Sequence, residues 1–147
     1  KMGAIVAAAS EKDQKSIYEF GKNLGIAFQL QDDYLDAFGD PKTFGKQVGG
    51  DIIENKKTFL YINALKLSNT EDSLQLQHLF SISPANPEEK IEIAKQIFID
   101  SGATKATKEA IHTYTQKAFG VLDSLNISED KKLLLRQFGE QLMNRKI

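Results

Sequence analysis

The chain has 147 residues, of which 41% are hydrophobic and 27% charged, a composition typical of a folded globular protein rather than a disordered one. The 19 Lys and Arg residues nearly balance the 20 Asp and Glu residues, so the chain lacks the basic excess of nucleic-acid-binding proteins and we expect no nucleic-acid partner. The sequence contains no cysteine, which excludes disulfides, thiolate catalysis and cysteine-ligated zinc, and no stretch approaches the roughly 20 apolar residues that cross a bilayer.

Apolar residues recur at helical spacing along the chain, and no segment alternates like a half-buried strand, so the sequence predicts an all-α fold. Residues 2–9 are expected to end a first helix. Ser10, followed three residues later by Asp13, is typical of an N-cap and begins a long second helix. The apolar face of this second helix comprises Ile17, Phe20, Leu24 and Phe28. Its end is predicted at the Gly39-Asp40-Pro41 tripeptide.

A glycine-rich loop, residues 41–50, separates the long helix from the rest of the chain. The helical pattern resumes near Ile52, and Pro87 with two following acids is typical of a further helix start. The expected helical spans after the loop are 52–67, 74–80, 87–101, 104–125 and 128–145. These spans bring the expected total to about six or seven helices, without a linker long enough to divide residues 1–147 into two domains.

Three aspartates lie in the last two turns of the long helix. Asp32 and Asp36 are one turn apart on the same face, and Asp33 neighbours Asp36 at i,i+3. Aspartate is a poor helix former, like charges at this spacing repel, and carboxylates are disfavoured at a helix C-terminus. Such conflicts with local preference are expected at functional sites. A divalent cation removes the conflict, and Mg²⁺ binds through one or two carboxylates plus substrate phosphates, so the cluster predicts a magnesium site that grips a diphosphate.

A solvated acidic helix end is the alternative interpretation, because short acidic motifs are common by chance. The residues after the cluster favour the functional one. Lys46 follows a glycine inside the glycine-rich loop, and Lys56 and Lys57 follow shortly afterwards. A flexible loop with a lysine can fold over a phosphate, and glycines let backbone N–H groups approach it. Acids that hold magnesium and lysines that hold phosphate oxygens together describe a diphosphate clamp.

The window Gly25-x-x-Phe28-Gln29-x-x-Asp32-Asp33-x-x-Asp36 resembles the second aspartate-rich motif of trans-isoprenyl (polyprenyl) diphosphate synthases of the farnesyl and geranylgeranyl type. The match continues through Gly39-Asp40-Pro41, then Gly45-Lys46-x-x-Gly49-x-Asp51-Ile52, then Lys56-x-Thr58. This resemblance implies a bundle of antiparallel helices around a deep central cavity, the isoprenoid-synthase bundle, of which this chain would be the C-terminal part.

The resemblance also implies an activity. It implies a chain-elongating prenyltransferase with Mg²⁺ as cofactor, which condenses an allylic diphosphate with isopentenyl diphosphate and releases pyrophosphate. The implied catalytic residues are Asp32, Asp33, Asp36 and Lys46, and the three aspartates would serve the metal, with Asp32 as a direct ligand. The implied substrate-binding residues are Phe28, Gln29, Lys46 and Lys56, where the lysines would contact the allylic diphosphate and Gln29 would line the reacting pocket.

Several parts of the family pattern are absent: the first aspartate-rich motif, the arginine pair that follows it, and an upstream Lys-Thr pair. We therefore expect residues 1–147 to be a single domain, the C-terminal half of a polyprenyl synthetase domain whose start lies upstream. We also expect a cytoplasmic protein, a homodimer when full length, and no condensation by this polypeptide alone. Two alternatives are a terpene-cyclase-like enzyme on the same fold and a non-catalytic subunit of a heteromeric prenyl synthase.

Overall fold

The computed structural model describes residues 2–40 and 48–144, and all regular structure in these ranges is helical. The predicted all-α class is therefore confirmed. The helices of the described ranges, in chain order, are α1 (Met2–Val6), α2 (Glu11–Phe38), α3 (Gly50–Ile53), α4 (Phe59–Leu67), α5 (Thr70–Leu79), α6 (Glu88–Asp100), α7 (Ala103–Asp123) and α8 (Glu129–Met143).

The long helix α2 begins where the sequence predicts. The Ser10 hydroxyl accepts a hydrogen bond from the Asp13 N–H at 3.1 Å and donates one to the Asp13 carboxylate at 2.7 Å. These bonds satisfy a backbone donor that would otherwise have no intrahelical partner. The helix ends at Phe38, one residue before the predicted tripeptide, and the Gly39 N–H still donates to the Leu35 carbonyl at 2.7 Å.

The prediction of one continuous helix over residues 52–67 is wrong, because this span contains the end of α3 and all of α4. Asn55 has a φ of 57° in the left-handed region, which a right-handed helix cannot accommodate. Thr58 then acts as the N-cap of α4, and its hydroxyl accepts from the Tyr61 N–H at 3.5 Å. The apolar period of the segment survives the break, which is why the sequence pattern alone did not reveal it.

The described residues form two compact units. One comprises residues 2–29 and 110–144, and the other comprises residues 30–40 and 48–109. In the first unit, the middle of α2 and the C-terminal part of α7 with the turn after it bury an apolar cluster made of Phe20, Leu24, Ala118, Leu122 and Leu125. In the second unit, α6 packs against α3, α4 and α5. The largest fully buried apolar side chains of that second core are Leu60, Leu76 and Phe98.

The last turns of α2 belong to the second unit and are anchored in it by four buried side chains, those of Leu30, Tyr34, Leu35 and Ala37. The acidic cluster therefore lies on a well-packed element rather than on a frayed helix end. Within the described ranges, no helix has both the length and the apolar character needed to cross a membrane.

Candidate functional site

The predicted acidic cluster lies on the partly exposed side of the α2 C-terminus. Asp32, Asp33 and Asp36 are each half-buried, between positions whose side chains point into the second core. Burial is the main cause that raises the pKa of Asp36 above its ordinary value of 3.8, and the negative charges of Asp51 and Asp32 act in the same direction. A hydrogen bond from the Asp51 backbone and the charge of Lys56 oppose this rise.

Asp36 binds the chain where the glycine-rich loop ends and α3 begins. Its Oδ2 accepts from the Asp51 N–H at 2.8 Å, and its backbone carbonyl accepts from the Gly49 N–H at 2.6 Å. A Cβ atom added at Gly50 would lie 3.2 Å from Asp36 Oδ1, and one added at Gly49 would meet the Ile91 side chain at 3.0 Å. Gly49 also has a φ of 85°, which favours glycine. Gly50 thus lets the backbone approach the carboxylate closely, and Gly49 leaves room for the Ile91 side chain.

Lys56 lies on the exposed side of the same segment. Its Nζ is 2.7 Å from Asp51 Oδ1 and 3.0 Å from Glu54 Oε2, and its side chain is 54% exposed. The hydrogen bond to Asp51 is the main cause that raises the pKa of Lys56. Asp36, Asp51 and Lys56 therefore form a connected series from the acidic cluster to a cation. The pair with Glu54 joins two exposed side chains, and exposed ion pairs contribute little to stability, so Lys56 can leave Glu54 at low cost.

The donor set of this region suits a hard divalent cation. It offers only oxygen ligands, and the partly buried carboxylate of Asp36 is one whose ionised form a nearby cation would favour. Among residues 2–40 and 48–144, no three or more His, Asp or Glu side chains gather into a metal-binding group. Mg²⁺ commonly uses one or two protein carboxylates and fills its remaining positions with water and substrate phosphates, so Asp32 and Asp36 fit a site of this kind.

The structure describes two of the three remaining predicted site residues, which are Phe28, Gln29 and Lys46. Lys46 falls outside the described residues. Phe28 is half-buried and Gln29 exposed near the middle of α2, and both belong to the first compact unit. Their assignment to the substrate pocket stays a prediction, as do the metal and diphosphate contacts assigned to the aspartates and lysines.

Residues 1–98 match the family model described as Polyprenyl synthetase. The chain belongs to the polyprenyl synthetase family. It is 35% identical over 136 residues to a geranylfarnesyl diphosphate synthase of Aeropyrum pernix, a match that covers 91% of this chain and 41% of that protein.

Solved structures of two geranylgeranyl pyrophosphate synthases share the fold of this polyprenyl synthetase chain. One is 49% identical with a TM-score of 0.88, and the match covers 99% of this chain and 46% of the other. The second, from Corynebacterium glutamicum, was solved in complex with isoprenyl diphosphate and magnesium; it is 28% identical with a TM-score of 0.85, over 98% of this chain and 41% of the other. The chain thus spans less than half the length of these relatives.

Two features of the second unit, at Asp51 and Lys90, were not predicted from the sequence. Sequence reasoning gave Asp51 no role, although this residue lies within the motif that continues the resemblance. It also missed Lys90, a buried lysine whose ammonium contacts the Asn55 side chain at 2.6 Å. Nothing in the local sequence distinguishes Lys90 from a surface lysine.

Proposed function

We propose that this polyprenyl synthetase chain forms one side of the active site of a chain-elongating prenyltransferase, which condenses an allylic diphosphate with isopentenyl diphosphate in a magnesium-dependent reaction. The observation that carries the proposal is the series from Asp36 through Asp51 to Lys56, which brings carboxylates and an exposed ammonium group together in one compact unit. Family membership supports the reaction class, and the magnesium in the Corynebacterium complex supports the metal.

The aspartates of the cluster would bind the metal, and Lys56 would bind the substrate. Asp32 would bind the metal directly, and Asp33 and Asp36 would bind it partly through water. Lys56 would release Glu54 and Asp51 and bind diphosphate oxygens as a point charge. Magnesium bound here would stabilise the negative charge that develops on the departing diphosphate. No protein nucleophile is required, which agrees with a sequence that contains no cysteine.

Three further residues are assigned by the family resemblance. Lys46 would reach the allylic diphosphate from the glycine-rich loop. Phe28 and Gln29 would line the pocket in which the two substrates react, on the part of α2 that precedes the metal ligands.

The first test is diphosphate binding by the 147-residue chain, measured by isothermal titration calorimetry with inorganic diphosphate in the presence and absence of Mg²⁺. We expect binding only with Mg²⁺, and we expect Asp32→Asn to abolish it. Glu92→Gln, which removes a carboxylate from the exposed face of α6, is the matched control and should bind like the wild type. Equal binding by Asp32→Asn and Glu92→Gln would contradict the assignment.

The lysine assignment has its own comparison. Lys56→Met should weaken diphosphate binding about tenfold, the order expected when one hydrogen bond to a charged group is lost. Lys66→Met, an equivalent change at an exposed position of α4, should leave the affinity unchanged. If both variants lose affinity equally, the effect is one of net charge and Lys56 has no specific role.

The partial coverage of the relatives leads to a separate proposal, that the 147-residue polypeptide does not turn over by itself. An assay with radiolabelled isopentenyl diphosphate and an allylic diphosphate tests it. We expect diphosphate binding without product, whereas clear formation of a lengthened prenyl diphosphate would overturn the proposal.

A further inference from the structure

Lys90 lies in the first turn of α6 and is only 2% exposed. Lysines are rarely buried to this extent unless they are paired with a carboxylate, because a buried charge without compensation is costly. The salt bridges among the described residues do not include Lys90. Its ammonium instead donates to three neutral oxygens: Asn55 Oδ1 at 2.6 Å, the Ile82 carbonyl at 2.9 Å and the Ile53 carbonyl at 3.4 Å.

The number of acceptors matches the charged form of the amine. A lysine ammonium has three N–H donors, whereas the neutral amine has two and presents a lone pair. Burial lowers the pKa of Lys90, but deprotonation would leave one of the three oxygens facing that lone pair. Two of these oxygens belong to Ile53, the last residue of α3, and to Asn55, in the connection between α3 and α4. The Lys90 ammonium group therefore restrains mainly the end of α3 and the connection that follows it.

Asn55 is held on both sides of its amide group. Its Oδ1 accepts from Lys90, and its Nδ2 donates to the Ile82 carbonyl at 3.3 Å. Its backbone is in the left-handed region with a φ of 57°, a conformation that costs free energy for a residue with a side chain and persists where surrounding contacts favour it. These bonds, together with one from Nδ2 to Ser83 Oγ at 3.5 Å, supply such contacts.

Lys56 follows directly after this constrained residue. Its N–H donates to the Asp51 carbonyl at 2.9 Å, and its Nζ contacts Asp51 Oδ1. The backbone conformation of Asn55 therefore determines the position of the Lys56 Cα atom, from which the side chain extends. A different conformation at Asn55 would carry Lys56 away from Asp51, which is itself bound to Asp36.

We propose that Lys90 is a positioning residue, which acts through Asn55 to hold Lys56 beside the acidic cluster in a geometry that is ready for diphosphate. The proposal rests on the proposed function for its ligand, since it takes Lys56 to be a diphosphate contact. Lys90 itself is buried behind the connection and does not touch the substrate.

The first measurement reports on the connection without any ligand. Lys90→Met keeps the length of the side chain and its position beside the Phe80 ring, whose centroid is 5.8 Å from the Lys90 Nζ, and removes the three donors. We expect amide hydrogen exchange at Lys56 and Thr58 to accelerate at least tenfold, with exchange in residues 30–38 of α2 unchanged. Unchanged exchange at Lys56 and Thr58 would overturn the proposal, whether or not the chain binds diphosphate.

The second measurement is a double-mutant cycle on Mg²⁺-dependent binding of inorganic diphosphate. Lys90→Met should weaken binding about tenfold in the wild-type background, and it should have no further effect in the Lys56→Met background, because both changes remove the same contact. Equal losses in the two backgrounds would show that Lys90 acts by general stability, and would overturn the positioning role.

Asn55→Gly provides a second variant if Lys90→Met does not fold. Glycine keeps the left-handed conformation accessible but removes the amide that receives the Lys90 bond, so it should reproduce the same pattern of exchange and binding. A wild-type affinity in Asn55→Gly would contradict the proposal. Failure of the proposed function is distinguishable, because Lys56→Met would then bind diphosphate like Lys66→Met while the exchange experiment still reports on Lys90.

Discussion

The surroundings of Asp36 include some features that favour its neutral form and others that favour its charged form. Burial favours its neutral form and raises its pKa, whereas the bond from the Asp51 N–H and any bound cation favour the carboxylate. Because the folded pKa lies above 3.8, the folded chain binds more protons than the unfolded chain between these two values. The free energy of unfolding should therefore fall as the pH rises through that window, and the ionised carboxylate should destabilise the metal-free fold above it.

Asp36→Asn tests this conflict. The variant keeps an acceptor oxygen for the Asp51 N–H but removes the charge, so at pH 7 without metal it should be at least as stable as the wild type and should lack the part of the pH dependence that Asp36 contributes. Urea denaturation from pH 4 to pH 8 measures both effects, with Glu92→Gln as the control for net charge. A clear loss of stability at pH 7 would mean that the hydrogen bond to the carboxylate outweighs the cost of burial.

The same variant should lose its ligand response. Ligand binding to the folded state raises the melting temperature, so Mg²⁺ with inorganic diphosphate should protect the wild type against heat and leave Asp36→Asn unprotected. Differential scanning fluorimetry at one fixed ligand concentration measures this. Equal protection of both proteins would remove Asp36 from the proposed site.

At the scale of elements, two glycines on neighbouring helices have opposite surroundings. Gly139 of α8 is buried, and a Cβ atom there would lie 2.9 Å from Phe119 Cε1 of α7, closer than carbon atoms pack. Gly120 of α7 is exposed, and a Cβ atom there would meet no atom of the described residues within 4 Å. The first glycine permits close approach of α8 to Phe119, whereas the second has no such packing role among residues 2–40 and 48–144.

Gly139→Ala and Gly120→Ala form a matched pair. Alanine at position 120 should stabilise the chain by up to about 1 kcal/mol, because glycine is a poor helix former. Alanine at position 139 gains the same propensity but must displace the Phe119 ring, and overpacking typically costs about 1–3 kcal/mol, so we expect a net loss. Equal free energies of unfolding for the two variants would contradict the close packing of α8.

The sequence predicted the start of α2 but not the break between α3 and α4. The N-cap at Ser10 was predictable because it depends on residues three positions apart. The break between α3 and α4 was not, because its cause is the Asn55 side chain, which bonds to Ile82 and Lys90, residues 27 and 35 positions away. The spacing of the apolar residues over residues 52–67 does not reveal that contact.

At the scale of the whole molecule, α2 and α7 each contribute residues to both compact units. Unfolding of one unit would leave each of these helices with a folded and an unfolded part. We therefore expect a single cooperative transition.

Leu122→Ala in the first unit and Leu60→Ala in the second test this cooperativity, because both leucines are almost fully buried. Each substitution should cost about 2–5 kcal/mol, and each should shift the same transition whether it is followed by far-ultraviolet circular dichroism or by hydrogen exchange in the other unit. Two separated transitions in either variant would show that the units unfold independently.

The sequence by itself determined the all-α class, the start of α2 and the acidic cluster at its end, because each depends on residues within about one or two helical turns of one another. It also carried the family motif, which is recognised from residue identities and their spacing along residues 25–58. Only the tertiary structure decided that Asp36 binds the segment around Asp51, and that Lys90 is buried beneath the connection that presents Lys56. Both contacts join residues that are distant along the chain, and burial of a charge depends on what surrounds it rather than on its neighbours in sequence.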